Sequence, residues 1–276
     1  MNLYARLGDV KGDVAGLQSA VTAGTDASYL RDIADASRAF DADCNGRHFY
    51  AYRATRYFTG DGTRTLYLPH DLISVSTLTV DTNADGIADL MLVEGTDYWL
   101  RPDSAAQRGN PYWQIDLIPR GVQLSYWPGD DRAIAITGLW GWSYELESTG
   151  LTGTLADATD TSLVADATAS ALVYPGDIAV QDDEQMYVSA VIGVTLTVQR
   201  GVNGTVAVAH AAKPISIRRY PRDIEGAIKR RVIAKRWSDR AGAPLGEPGK
   251  GFDLSYAVYM DVVRSYRDKT AWIGSF

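Results

Sequence analysis

Between residues 48 and 142 the hydrophobic pattern repeats every second residue, and this constrains the fold more than any other feature. From His48 to Phe58 the chain alternates, with Tyr50, Tyr52, Ala54, Arg56 and Phe58 on one side. Gly60-Asp61-Gly62 then turns it. Residues 65–68 and 72–80 read as two strands separated by Pro69, which has no N–H to give a ladder. Further strands are predicted at 88–93, 98–101, 113–118, 122–127 and 133–142, with turns at Arg108-Gly109-Asn110-Pro111, Pro119-Arg120-Gly121 and Pro128-Gly129-Asp130. A Tyr-Trp pair recurs at Tyr98-Trp99, Tyr112-Trp113 and Tyr126-Trp127 without similar surroundings, the spacing of a meander and not of a duplication.

Helical periodicity brackets this stretch. Tyr4 and Leu7 open a short amphipathic piece that ends near Gly16 or in 22–24. A second helix is expected after an N-cap at Thr25-Asp26, with Leu30, Ile33, Ala34, Ser37 and Phe40 on one face and a stop at Asn45-Gly46. After Pro221, Asp223 and Glu225 suit the positive end of a helix dipole, and Ile224, Ala227, Ile228 and Val232 form a stripe. Residues 241–251 are a Gly/Pro-rich connection, and 254–266 is a last helix with Tyr256, Tyr259 and Val263 on one face.

Residues 151–217 differ in composition. They are rich in Ala, Thr, Val and Gly, with seven acids and two bases, Arg200 and Lys213. Short strands are expected at 162–165, 177–180, 185–191, 195–200 and 215–218, with Asn203-Gly204 as a type I′ hairpin turn. The expected fold is therefore α+β. N- and C-terminal helices pack with an antiparallel β-sheet core, and a small all-β module is inserted. The division is 1–150 as helix pair and meander, 151–217 as the module, and 218–276 as helices and tail completing the core.

Charge is unevenly spread. The chain of 276 residues has a net charge of −7, yet residues 218–240 hold nine bases against three acids. Lys229, Arg230, Arg231, Lys235 and Arg236 crowd the expected helix and are candidates to contact DNA phosphates or an acidic partner. The single cysteine, Cys44, excludes an intrachain disulfide, and no apolar run approaches a membrane span. The N-terminus lacks the pattern of a secretory signal, so folding in a reducing compartment is expected.

Chemical motifs are sparse. Asp81, Asn83 and Asp85, with Gly86 and Asp89, open like a calcium loop, but position 12 is Leu92 where a bidentate Glu belongs, and the flanks read as strands. A hairpin tip is the simpler account. Cys44, His48 and His70 are too few to close a zinc site. The run Asp182-Asp183-Glu184 reads as a solvated turn. There is no nucleophile elbow, phosphate-binding glycine loop or metalloprotease helix, so neither enzymatic activity nor a cofactor is expected. The aromatics at 98–142 suit a sheet core and interface more than a sugar-stacking platform.

The order of parts resembles a known family. The carrying segments are Asp41-Ala42-Asp43-Cys44-Asn45-Gly46-Arg47-His48-Phe49-Tyr50, Leu68-Pro69-His70-Asp71-Leu72-Ile73-Ser74-Val75, Asp97-Tyr98-Trp99-Leu100-Arg101-Pro102, Ile136-Thr137-Gly138-Leu139-Trp140-Gly141-Trp142 and Asp223-Ile224-Glu225-Gly226-Ala227-Ile228. Together they resemble the head–tail connector (adaptor, or head-completion) proteins of long-tailed bacteriophages, over residues 1–145 and 220–268. Residues 151–217 depart from that pattern and look like small β modules of phage structural proteins. The resemblance implies a non-enzymatic ring of twelve copies at the head–tail interface of a virion, assembled in the bacterial cytoplasm. Such a ring docks on the portal protein, extends the channel through which packaged DNA passes, and holds the next connector, stopper or tail protein, with no membrane partner. With the exposed-apolar argument, it also implies that Tyr256, Tyr259, Trp272 and Phe276 face the portal. A different class of reading is a carbohydrate- or calcium-binding β module of a virion or cell surface.

Overall fold

A computed structural model describes residues 2–13, 23–119, 123–142, 144–241 and 250–267, with side chains described for all of these except 13, 23–25, 237–241 and 250–255. The chain divides into two compact units, Met1–Gly46 with Tyr144–Ser275, and Arg47–Ser143. The helices before residue 47 and after residue 221 therefore group with the β module, whereas the sequence reading put them with the meander.

The unit Arg47–Ser143 is an antiparallel sheet of β1 (Tyr52–Phe58), β2 (Thr65–Val80), β3 (Leu90–Leu92), β4 (Tyr98–Arg101), β5 (Tyr112–Leu117) and β6 (Ile134–Trp140). The order is β1-β6-β2-β5-β4, with β3 on β2. Pro69 does not divide two strands as expected. It lies inside β2 at a register shift between Tyr67 and Leu72, where pairing passes from β5 to β6 and no ladder donor is required. Residues 123–127 are not a strand. Instead Trp127 is buried, its backbone N–H donates to the Thr63 carbonyl at 2.8 Å, and its ring N–H donates to the Arg64 carbonyl at 3.0 Å. A short helix, α3 (Ala105–Arg108), was not expected; it ends at Gly109, whose φ of 63° suits a glycine cap.

The buried face of this sheet is filled by Leu66, Leu72, Leu78, Ile115, Ile134 and Ile136, with Tyr98, Trp127 and Trp140. Gly138 is required where β6 passes β2, since a Cβ there would strike the Ser74 carbonyl oxygen.

In the other unit, β7 (Glu145–Leu155), β8 (Ser162–Ala165), β9 (Ile178–Gln181), β10 (Glu184–Ile192), β11 (Thr195–Gln199) and β12 (His210–Arg219) close a barrel in the order β10-β11-β8-β7-β12-β9. Closure leaves no unpaired edge. Its core is aliphatic, with Leu151, Leu155, Leu163, Met186, Val188, Leu196, Val198, Ile215 and Ile217 among its members. The module begins at Glu145, because β7 runs through the expected boundary at residue 150. Asn203-Gly204 has the positive φ angles foreseen, but it sits in a 3-10 turn and not in a hairpin. The strands on either side of it, β11 and β12, do not pair with each other.

The same unit holds α1 (Leu7–Asp13), α2 (Ala23–Asp43), α4 (Arg222–Ala241) and α5 (Lys250–Arg267). Helix α2 starts two residues before the expected cap, so Asp26 lies in its first turn. Ile33, Ala34, Ser37 and Phe40 are buried as their spacing predicts, as are Ile224, Ala227, Ile228 and Val232 on α4. Asn45 and Gly46 close α2 with positive φ, and Gly46 N–H donates to the Asp41 carbonyl at 2.8 Å. The extreme N-terminal segment is tied to the barrel. Asn2 and Asn203 exchange side-chain hydrogen bonds at 2.8 and 2.9 Å, and Arg6 holds the buried Asp177 at 2.8 Å while donating to the Leu172 carbonyl.

Candidate binding surfaces

Helices α2, α4 and α5 enclose a groove of about 410 Å³, lined by Asp32, Asp35, Ala36, Arg230, Lys235 and Tyr256, among others. The basic residues of α4 border it, and most are already engaged. Arg231 pairs with Asp43 at 3.1 Å. Lys235 reaches Asp32 at 2.7 Å and Asp35 at 3.6 Å, and the hydrogen bond to Asp32 holds its ammonium above the usual value. Arg236 bonds Asp32 at 2.6 Å and Ser28 at 2.8 Å, with its guanidinium over the Tyr29 ring. Lys229 is half-buried and Arg230 exposed. The acidic partner foreseen for this helix is thus, for three of its five bases, helix α2 of the same chain. The spacing of Asp32, Asp35 and Asp43 along α2 carried that signal, although the sequence reading did not use it.

The aromatic quartet does not act together. Tyr259 is 1% exposed, edge-on to Phe40 at 5.9 Å, and donates to Asp43 at 2.7 Å. Burial, then the bond to Asp43, pushes its hydroxyl well above the ordinary range. Tyr256 is 51% exposed and stacks on Tyr259 at 6.1 Å. Trp272 and Phe276 lie outside the described residues.

The loop 81–89 joins β2 to β3, whose ends pair as Val80 with Leu90. Its oxygens bind the loop itself. Asp81 accepts from Gly86 N–H at 2.7 Å, Asn83 from Asp85 N–H at 3.0 Å, and Asp85 from Ile87 N–H at 2.8 Å. Asp89 accepts from the Thr82 N–H and hydroxyl. Among the described residues, no group of three or more His, Cys, Asp or Glu is arranged to hold a metal. Cys44 is buried, its thiol 3.9 Å from the Val263 carbonyl.

Sequence reasoning missed the most connected polar cluster, inside the barrel. Glu184, expected in a solvated turn, is 2% exposed. Arg200 grips it with two bonds of 2.7 Å, the N–H groups of Gly201 and Val208 donate to it at 3.1 Å, and His210 Nε2 lies 2.9 Å away. His210 Nδ1 is 3.1 Å from Asp182, which also pairs with Lys213 at 3.2 Å. Burial works against the Glu184 charge, but these donors outweigh it and hold the carboxyl below its usual range. Arg200 also donates to the carbonyls of Asp157 and Asp160, binding the 157–160 loop to the barrel wall.

The Tyr-Trp pairs divide by environment. Tyr98, Trp127 and Trp140 are buried, Trp99 and Tyr126 are exposed, and Trp113 stacks on Tyr67 at 6.3 Å. One apolar surface stands out on the barrel. Ile192 is 78% exposed, and Val164, Leu172 and Val194 are exposed beside it. Backbone bonds from Ala165 to Val194, Ala169 to Gly193, and Leu172 to Ala169 bring the four together.

No protein-family model matches the chain, and no curated protein matches it.

Proposed function

We propose that this protein is a structural head–tail connector of a long-tailed phage. In this reading, copies form a ring of twelve docked under the portal, extending the DNA channel and offering a platform to the next connector or tail protein. The observation that carries it is the grouped apolar surface at Val164, Leu172, Ile192 and Val194. Side chains of this kind, held together by backbone bonds and left in water, suit burial against another protein. The ordered segments that resemble the connector family supply the kind of assembly. In a closed ring each copy meets the next through two different faces, so a patch on one face needs no copy of itself opposite.

The chemistry of the rest is compatible with a scaffold. The densest polar cluster fastens a loop to a barrel, and three bases of α4, Arg231, Lys235 and Arg236, are paired with acids of α2. Mass photometry and negative-stain imaging of the full chain, alone and mixed with a portal protein of a long-tailed phage, test the proposal. Rings are expected in at least one condition, and Ile192→Asp is expected to abolish them while leaving the circular dichroism spectrum unchanged. A chain that is monomeric in both conditions overturns the connector reading.

A further inference from the structure

We propose that Arg56, His48 and His70, backed by Tyr50 and Tyr52, form a binding site for a phosphate group on the unit Arg47–Ser143. The geometry starts in the pairing of the sheet. Leu72 of β2 and Tyr52 of β1 both lie opposite Trp140 of β6, so the beginnings of β1 and β2 are level across one strand. His70 is two residues before Leu72, and His48 and Tyr50 are just before Tyr52. The rings of His48, Tyr50 and Tyr52 form a cluster with centroids 5.2 to 6.3 Å apart. Arg56 lies four residues, two strand repeats, farther on the same face of β1, but its side chain returns. Its guanidinium lies over the Tyr52 and Trp140 rings at 5.6 and 5.3 Å and donates to the Tyr52 hydroxyl.

What makes this a ligand site is the missing counter-charge. Among the described residues, no carboxylate lies within ion-pair distance of Arg56 or His70, and Arg56 Nε is buried with no hydrogen-bond partner. Asp71, next to His70 in sequence, pairs with Arg47 at 2.8 Å. An arginine held between two aromatic rings with an unused N–H is an unfilled demand for an acceptor. Burial, then the positive fields of Arg56 and His48, hold the His70 imidazole below its ordinary value, in keeping with the placement the strand pairing gives these groups. An anion placed among them reverses that effect.

Phosphate fits better than a carboxylate. A fork-shaped guanidinium together with two imidazoles can serve more than two acceptors, and a tetrahedral oxyanion offers more of them than a planar carboxylate does. His48 and His70 are both exposed, so the group need not be a small free ion. It is either inorganic phosphate or a phosphate of a nucleic-acid backbone.

The chain has three histidines, at positions 48, 70 and 210, which makes the test direct. Ring signals of the full-length protein are followed by NMR during titration with sodium phosphate, against sodium chloride at equal ionic strength. Saturable shifts of His48 and His70 are expected, with an upward move of the His70 titration midpoint. His210, buried between Asp182 and Glu184, serves as the still reference. Arg56→Gln is expected to weaken phosphate affinity about tenfold, the loss of one charge-assisted hydrogen bond, and His70→Gln by less. If both variants fold and bind phosphate as the parent does, or if chloride produces the same shifts, the site does not exist. A short DNA duplex gives the second arm. Tighter binding per phosphate than the free ion supports a nucleic-acid backbone as the source, and equal binding supports free phosphate.

Discussion

The two β structures of this chain fill their cores in opposite ways. The six-stranded barrel is closed, and its hydrophobic cluster is built from aliphatic side chains and Met186 with no aromatic ring among its buried members. The other sheet is open, and its buried face carries Trp127, Trp140 and Tyr98, with Tyr52, Phe58 and Tyr112 packed at the margin. Closure removes both edges and narrows the space between walls, so Leu, Val and Ile suffice. An open sheet must cover its own face, and large rings with a polar tip do that while satisfying the backbone. The Trp140 ring N–H, for example, donates to the Ala54 carbonyl at 3.0 Å. Polar anchoring differs as well. The barrel is locked by a charged knot around Glu184, whereas the open sheet buries an acid, Asp71, beside a single arginine.

The contrast is broken most severely at Trp140. Trp140→Ala is expected to cost about 3–5 kcal/mol, measured by urea titration, with hydrogen exchange locating the loss in the unit Arg47–Ser143. A loss confined to the barrel would contradict the account of aromatic filling. Glu184→Gln is expected to cost about 3 kcal/mol, because Arg200 keeps its buried charge with a weaker acceptor. Exchange should then accelerate in residues 157–160 and β12, and an unaltered melting temperature would show the knot to be dispensable.

The smallest effect concerns pH, and its sign separates the two units. Burial pushes the Asp71 carboxyl up to about 6 against the opposing pull of Arg47. The folded state therefore binds the proton more readily than the unfolded state. The associated stability is complete below the ordinary value of 3.8 and is lost as pH rises through about 6. Glu184 behaves in the opposite sense. Its contribution is complete above the ordinary value of 4.5 and is lost as pH falls through its lowered folded value. Moving from pH 7 to pH 5 should thus strengthen the open sheet, by about 1 kcal/mol, whereas the lowered Glu184 offers no such gain. Asp71→Asn should erase that gain, as read by hydrogen exchange at the two pH values.

Much of this architecture was readable in the residues. Period-two alternation located β1, β4, β5 and β6, and helical spacing picked out the buried stripes of α2 and α4. Failures have specific causes. Pro69 signals a strand break only if its strand keeps one partner throughout, and β2 changes partner there. The start of β7 was hidden by a Ser-Thr-Gly stretch with weak alternation. Glu184 followed two aspartates, and local composition cannot reveal that the third acid points into a barrel toward Arg200, sixteen residues on. For the same reason the match between α2 acids and α4 bases was missed, since Asp32 and Lys235 meet only after folding.

The ties of Asn2 and Arg6 to Asn203, Asp177 and Leu172 bear on the order in which the chain is made. Synthesis runs from the N-terminus, so Arg6 waits for a carbonyl 166 residues later and a carboxylate 171 residues later before its partners exist. Contacts between such distant positions slow the search for the native state. The open sheet, whose residues lie within one continuous stretch, has no such wait. On a ribosome, the middle of this protein should be folded before its beginning is.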